Sequence, residues 1–198
     1  MYQDGYQNLK LGFIGLGKYG FTTAKAILKS GHHNIEDIYF AKTDDEYFRE
    51  LSAEKVREVN DNYENLQKVL SRFKNEEDGK YLVEHILSLE ALIENICGNK
   101  DSKGVLIVSL DMLTGKEIFK KIAGLNKKIS WENIWVLSSI SKLEVSIIKQ
   151  LINKNIRVIR YIQNMAISVG QGIISAYIEP EYREEGEFIF KRIFQGCG

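Results

Sequence analysis

A glycine-rich turn between an apolar strand and an amphipathic helix constrains the fold of this chain more than any other feature. It lies inside the segment 9–31 and reads Gly15-Leu16-Gly17-Lys18-Tyr19-Gly20. The first glycine permits a tight turn, the second lets a ligand approach the backbone, and the third lets the helix pack closely on its strand. Unpaired N–H groups at the start of the helix favour an anion there. The arrangement is typical of the first unit of a dinucleotide-binding domain.

The rest of the sequence continues this alternation of strands and helices. Short apolar strands are predicted at 37–41, 56–59, 105–109, 134–137, 156–161 and 173–177, with helical segments between most of them. A length of 198 residues suits one domain. We therefore expect an α/β fold in which residues 1–198 form a single, doubly wound and mostly parallel Rossmann sheet.

The end of the second predicted strand indicates which dinucleotide the site would prefer. An acidic residue at this place binds the ribose 2′-hydroxyl of NAD. This chain instead has Lys42 and Thr43, whose ammonium and hydroxyl groups could hold the 2′-phosphate of NADP. Asp44 and Asp45 follow at once, and the alternative interpretation is that they cap the next helix. The sequence thus favours NADP over NAD as the possible cofactor.

Two helical stretches, 63–73 and 80–97, are not required by a Rossmann pattern. Their apolar residues recur at spacings of three and four, which predicts an inserted helical hairpin over about 66–103. The residues concerned are Tyr63, Leu66, Leu70 and Phe73 in the first stretch, and Leu82, Ile86, Leu89, Ile93 and Ile96 in the second. The apolar face of the second stretch is wider than one short helix covers, so we expect the inserted helices to contact another protein chain.

Charge and composition argue against several classes of function. The 27 basic residues balance 27 acidic ones, so no surplus of charge indicates nucleic acid as a partner. The longest apolar run, at 105–110, is too short for membrane insertion. Cys97 and Cys197 have no neighbours at metal-ligand spacing, so neither a metal site nor a disulfide is expected. No secretory or mitochondrial address is visible, and we expect a reducing, cytoplasmic location.

Residues 157–172, which read RVIRYIQNMAISVGQG, resemble the pyrroline-5-carboxylate reductase family, whose segment reads approximately RVIRVMPNTPALVGAG. The matching positions are Arg157, Arg160, Asn164, Val169, Gly170 and Gly172. Asp61-Asn62 looks like the family's Asp-Asn after the third strand, and Lys42-Thr43 looks like its Arg-Ser/Thr. The resemblance implies the N-terminal NADP-binding domain of an oxidoreductase, with Asn62 and Asn164 beside the cofactor. The first segment is equally similar to 3-hydroxyacid dehydrogenases.

Two departures from that family bear on activity. Asp111-Met112 stands where the family has Lys-Pro, and a carboxylate there would repel a cofactor phosphate. The chain also ends about where the family passes into its helical C-terminal domain, which supplies the substrate pocket and the dimer interface. No catalytic residues are assigned, because the sequence shows neither a Ser/His/Asp set nor paired carboxylates at acid–base spacing.

Two hypotheses about function therefore stay open. In the first, the chain is an NADP-binding reductase module that is incomplete as a stand-alone enzyme and works with a missing half. In the second, it is a pseudoenzyme that serves as a structural or interaction subunit of a protein complex. The Rossmann core would then be the scaffold and the inserted helices the partner interface.

Overall fold

Seven strands form one sheet at the centre of the computed structural model, which describes residues 9–42, 53–71, 85–97, 103–125 and 129–197. The strands lie in the order β3-β2-β1-β4-β5-β6-β7. They are β1 (Lys10–Ile14), β2 (Ile38–Ala41), β3 (Ile86–Leu87), β4 (Gly104–Val108), β5 (Ile134–Ser138), β6 (Arg157–Gln163) and β7 (Ile174–Ile178). The first six are parallel and β7 is antiparallel to β6. This is the doubly wound Rossmann order, so the predicted fold class is confirmed.

Helices cover both faces of the sheet. They are α1 (Lys18–Ser30), α2 (Ala53–Ser71), α3 (Leu89–Cys97), α4 (Met112–Gly124), α5 (Val145–Leu151) and α6 (Arg183–Ile193). Side chains from α1, α2 and α6 join one hydrophobic core, and side chains from α3, α4 and α5 join the other. Every residue of β4 and β5 is buried, as expected for parallel strands with a layer of helices on each face.

The third strand predicted at 56–59 is wrong. Val56 and Val59 lie in α2, where Val59 and Leu66 are buried and most neighbouring residues are exposed. Apolar residues three and four apart share one helical face, and this longer pattern overrides the short β-branched run. The third strand is instead the two-residue β3, which pairs Ile86 with Phe40 and Leu87 with Ala41 of β2.

The hairpin predicted over about 66–103 agrees with the described residues only in part: the chain is helical up to Ser71 and from Leu89 to Cys97, but Ile86 and Leu87 form a strand where the second helix was predicted. Ile86 lies in the sheet, and Ile93 and Ile96 are buried against it from α3. Gly104 of β4 allows a close approach, because a Cβ at this position would lie 2.6 Å from Cγ2 of Ile96. The apolar stripe that resembled a coiled-coil seam therefore packs on the sheet. Phe73 and Leu82 of the predicted seams, and the side chain of Leu70, lie outside the described part.

Candidate functional site

The glycine turn joins β1 to α1 at the edge of the sheet formed by the carboxyl ends of the parallel strands. Gly15 has a φ of +88°, a left-handed conformation that favours glycine. Gly20 lies under it, because a Cβ on Gly20 would overlap the carbonyl oxygen of Gly15. Gly17 has an ordinary φ of −65°, and a Cβ on it would meet nothing within 4 Å. The turn is thus closed on the protein side and open at Gly17.

A cleft of about 1100 Å³ opens beside this turn, at the carboxyl ends of the neighbouring strands β1 and β4, where the strand order reverses direction. Clefts at this switch point of a doubly wound sheet are the usual ligand sites of the fold. Of the predicted site residues, the cleft is lined by Gly15, Leu16, Gly17, Lys18, Tyr19 and Lys42. Its wall carries the lysines Lys18, Lys42, Lys55, Lys120 and Lys121 and the acids Glu58, Glu90, Asp111 and Glu117. Among the described lining residues, five cations therefore face four carboxylates.

Of the two residues predicted to bind the 2′-phosphate at the end of β2, the structure describes only Lys42. Lys42 is exposed on the cleft wall, and its backbone N–H donates to the carbonyl oxygen of Leu87 at 2.6 Å. Its position is therefore fixed by the β2–β3 pairing. Thr43 and the two aspartates after it lie outside the described residues. The cation predicted from the sequence therefore lies on the cleft wall.

Neither Asn62 nor Asn164, which the family resemblance placed beside the cofactor, is among the residues that line the cleft. Asn62 does not follow a strand; it lies in α2, and its Nδ2 donates to the carbonyl oxygen of Leu16 at 2.8 Å. It therefore supports the glycine turn from outside the cleft wall. Asn164 precedes a short 3-10 turn, and its Oδ1 accepts from the N–H of Ile173 at 3.3 Å. The structure does not bring Asn164 to the cleft.

Glu58 is a site residue that the sequence did not indicate. Its Oε1 accepts a hydrogen bond from the backbone N–H of Lys18, the first residue of α1, at 2.9 Å. Glu58 and Asn62 are one helical turn apart on α2, so both reach the glycine turn from one face. Because residues 56–59 were predicted as a strand, the sequence did not place Glu58 and Asn62 on the same face of one helix. The spacing of Val56, Val59, Tyr63 and Leu66 could have indicated it, since these apolar residues predict one helix.

Three hydroxyl groups meet at the carboxyl ends of β4, β5 and β6. The Oγ atoms of Ser109 and Ser139 lie 2.8 Å apart, and Ser109 Oγ is 3.3 Å from the phenol oxygen of Tyr161. Burial raises the pKa of Tyr161 against the lowering effect of its hydrogen bond with Ser109, so the phenol is neutral at pH 7. Ser109 and Ser139 also line the cleft. Ser109 is the last residue of one predicted strand and Ser139 comes shortly after another, so the strand ends could have indicated them.

Asp111, the residue at which the family has lysine, caps helix α4. Its Oδ1 accepts from the N–H groups of Leu113 and Thr114 at 3.0 and 3.1 Å. Partial burial acts to raise the pKa of Asp111, but hydrogen bonds from Thr114 and Leu113 outweigh it and the pKa is lowered. The carboxylate is therefore ionised at neutral pH. It lies on the cleft wall as a structural cap that also brings a negative charge to the site.

The described part of the chain contains neither a group of metal ligands nor a membrane-spanning helix. No group of three or more histidine, cysteine, aspartate or glutamate side chains there could hold a metal ion. None of the helices within the described ranges is long and apolar enough to span a membrane.

Comparison with solved structures identifies proteins of the same fold. The pyrroline carboxylate reductase of Plasmodium falciparum with NADP bound matches with a TM-score of 0.64 and 15% identity, over 97% of this chain and 56% of that one. The resemblance in fold is confirmed. The pyrroline-5-carboxylate reductase of Coxiella burnetii matches with a TM-score of 0.59 and 16% identity, over 96% and 56% of the two chains.

A prephenate dehydrogenase from A. aeolicus, in complex with hydroxyphenyl propionate and NAD+, matches with a TM-score of 0.59 and 13% identity, over 96% of this chain and 57% of that one. No protein-family model matches the sequence, and no curated protein sequence does. At such identities the likeness shows a fold shared by reductases and dehydrogenases. The chain spans a little over half the length of the reductases that it matches.

Proposed function

We propose that this chain is an NADP-binding module of a reductase, and that the dinucleotide lies in the cleft with its pyrophosphate against the glycine turn. The observation that carries the proposal is the turn itself: closed by Gly15 and Gly20, open at Gly17, and placed at the switch point of the sheet. The structural likeness to a reductase with NADP bound supports the same cofactor.

The residues on the cleft fit the parts of such a cofactor. The N–H groups at the start of α1 carry partial positive charge suited to a pyrophosphate. Lys42, at the end of β2, supplies a cation for the 2′-phosphate of the adenosine ribose. Ser109 and Ser139 offer hydroxyl groups at the ends of β4 and β5. When bound, NADPH would supply a hydride to the substrate, while these side chains bind and orient the nucleotide.

We further propose that catalysis needs a second component. The chain matches about 56% of the length of the reductases, and hydride transfer depends on holding donor and acceptor carbons together. A substrate pocket contributed by another segment or another chain would complete the site. By the likeness to those reductases, the substrate would be a cyclic imine such as pyrroline-5-carboxylate. The two buried free thiols, Cys97 and Cys197, are consistent with a reducing, cytoplasmic setting.

The second candidate function is a non-catalytic subunit of a protein complex. The observation that favours it is an apolar surface around β6 and β7, where Ile162, Val169, Ile173 and Tyr177 are 57 to 71% exposed. Ile162 and Tyr177 lie on the same face of the sheet, given the pairing of Ile162 with Ser175 and of Arg160 with Tyr177. An exposed apolar surface of this kind marks contact with another protein. The interface would then lie here rather than on inserted helices.

Titration with NADPH and NADH tests the proposal. The wild type should bind NADPH more tightly than NADH, and Lys42→Ala should lose that preference by about tenfold, the size of one charge-assisted hydrogen bond. Lys29→Ala removes an exposed lysine from the far end of α1 and should leave the preference unchanged. Equal affinity for both nucleotides, or an unaltered preference in Lys42→Ala, would contradict NADP as the cofactor. Absence of binding to either nucleotide favours the second function.

A further inference from the structure

The N-terminus of helix α1 is capped by a carboxylate that belongs to a different helix. Gly17, the residue before the helix, has no side chain to cap it, and the first turn of α1 contains no acidic residue. The carboxylate of Glu58 on α2 instead accepts from the Lys18 N–H at 2.9 Å. Carboxylates stabilise a helix N-terminus because unpaired N–H groups and the helix dipole favour negative charge there. The donor suited to a ligand phosphate is thus already bonded to a side chain of this chain.

Several contacts hold Glu58 in this position. Asn62, one turn further along α2, donates to the carbonyl oxygen of Leu16 at 2.8 Å. The next residue, Tyr63, hydrogen bonds through its hydroxyl to the carbonyl oxygen of Ala41 at the end of β2. Val59 and Leu66 of the same helix are buried, and α2 packs against α1. The Glu58 carboxylate is therefore presented by a helix that is fixed to both the glycine turn and the sheet.

We infer that Glu58 is the residue that sets the affinity of this site for phosphate ligands, an inference that rests on the proposed function. Its carboxylate accepts from the Lys18 N–H, the donor that a pyrophosphate would use, and would have to leave when a pyrophosphate binds. Two anions cannot share this donor, because they would lie within a few ångströms of each other and repel strongly near a protein surface. Glu58 lines the cleft, so its side chain has open space into which it can turn.

This competition lowers the affinity of the site for every ligand that binds through a phosphate at the start of α1. A free phosphate or a short polyphosphate gains only the donors at the start of α1 and must displace Glu58 for them. A dinucleotide with a 2′-phosphate, such as NADPH, would also reach Lys42 across the cleft and the hydroxyl groups at the ends of β4 and β5. These further contacts would offset the cost of displacing Glu58. Glu58 thereby weakens the binding of all of these ligands by the same factor, so that at low ligand concentration only those with contacts across the whole cleft remain bound.

Nucleotide titration with matched variants tests the role of Glu58. Glu58→Gln keeps the shape of the side chain without its charge, and Glu58→Ala removes both. Glu54→Gln removes the same charge one turn earlier, from an exposed residue that is not on the cleft wall. Both Glu58 variants should bind NADPH at least about tenfold more tightly than the wild type, the scale of one charge-assisted hydrogen bond. Glu54→Gln should match the wild type. Unchanged or weaker binding in both Glu58 variants would overturn the inference.

A second measurement separates this inference from the proposed function. The backbone amide resonance of Lys18 is followed by NMR while inorganic pyrophosphate is added to each nucleotide-free protein. It should move at about tenfold lower pyrophosphate in the Glu58 variants than in the wild type or Glu54→Gln. NADPH binding by none of the proteins would contradict the proposed function, and the pyrophosphate result would still decide the role of Glu58. A Lys18 resonance that responds equally in all proteins, or in none, overturns it. If Glu58→Ala fails to fold, the isosteric Glu58→Gln decides.

Discussion

Single residues of the glycine turn serve two separate purposes. Gly15 and Gly20 are required by the protein backbone, through a positive φ at one and a backbone overlap at the other. Gly17 is required by neither, since it has an ordinary φ and open space around it. The purpose that remains for a bare backbone at Gly17 is the close approach of a ligand. Substitutions at Gly17 and Gly20 should therefore separate folding from binding.

Gly20→Ala is expected to lower the stability of the fold, whereas Gly17→Ala is expected to weaken ligand binding. Alanine at Gly20 gains up to about 1 kcal/mol of helix propensity. However, its Cβ would meet backbone that cannot easily move, so we expect a net loss of about 1–3 kcal/mol of unfolding free energy. Gly17→Ala should change stability by less than about 0.5 kcal/mol and weaken NADPH binding. Urea unfolding and nucleotide titration measure the two effects. Full stability in Gly20→Ala, or undiminished binding in Gly17→Ala, would show that the turn has been misunderstood.

At this scale the sequence predicts what depends on local backbone and misses what depends on packing between helices. The glycine turn and Lys42 were recognisable because a φ requirement and a strand end are local properties. Glu58 was not, because its role depends on α2 lying against α1. Asn62 was chosen through a supposed strand, yet it contacts the glycine turn through a helix.

Among the elements, α3 and β3 show most clearly what a periodic pattern omits. The spacing of Leu92, Ile93 and Ile96 indicates that one face of a helix is buried, but it does not indicate the surface against which that face packs. A hairpin partner and a sheet both satisfy it. The strand β3 has only two residues, too few to show an alternation of period two. For these reasons the sequence predicted an inserted hairpin where, in the described residues, β3 extends the sheet and α3 packs on it.

Ile96→Ala tests the position of α3. Ile96 is fully buried between the helix and the glycines of β1 and β4, so the truncation should cost about 2–5 kcal/mol of unfolding free energy. Glu94→Ala alters an exposed residue of the same helix and should cost less than about 0.5 kcal/mol. Chemical denaturation of both variants provides the comparison. Near-wild-type stability in Ile96→Ala would support a helix that projects away from the sheet.

For the whole molecule, the fold followed from the sequence more readily than any single boundary. Alternating strands and helices imply parallel strands joined by right-handed crossovers, and a chain of this kind has few possible strand orders. The antiparallel β7 has an equally simple reason. The connection at 164–173 contains only a short 3-10 turn and cannot form a crossover helix. What the chain does was not predictable from this fold, because function resides in sites rather than in the fold.

We expect this chain alone, supplied with NADPH and pyrroline-5-carboxylate, to show no measurable turnover. The cleft presents groups that can hold a nucleotide, whereas positioning of the acceptor carbon, a large part of the rate of such reactions, is assigned to a second component. Loss of NADPH absorbance measures turnover, and a complete pyrroline-5-carboxylate reductase in the same assay serves as the positive control. Steady turnover by a homogeneous preparation of this chain would show that it contains a complete active site.

The two cysteines lie in opposite hydrophobic cores. Cys97 ends α3 in one core, and Cys197 belongs to the other, on the side of α1 and α6. Burial raises the pKa of Cys97 to about 12 and that of Cys197 to about 11, so neither thiol reacts readily while its layer stays closed, since the thiolate is the nucleophile. The rate at which each thiol reacts therefore reports how often the helical layer on its own side of the sheet opens. Their labelling rates, measured separately, would show whether the two helical layers loosen together or one before the other.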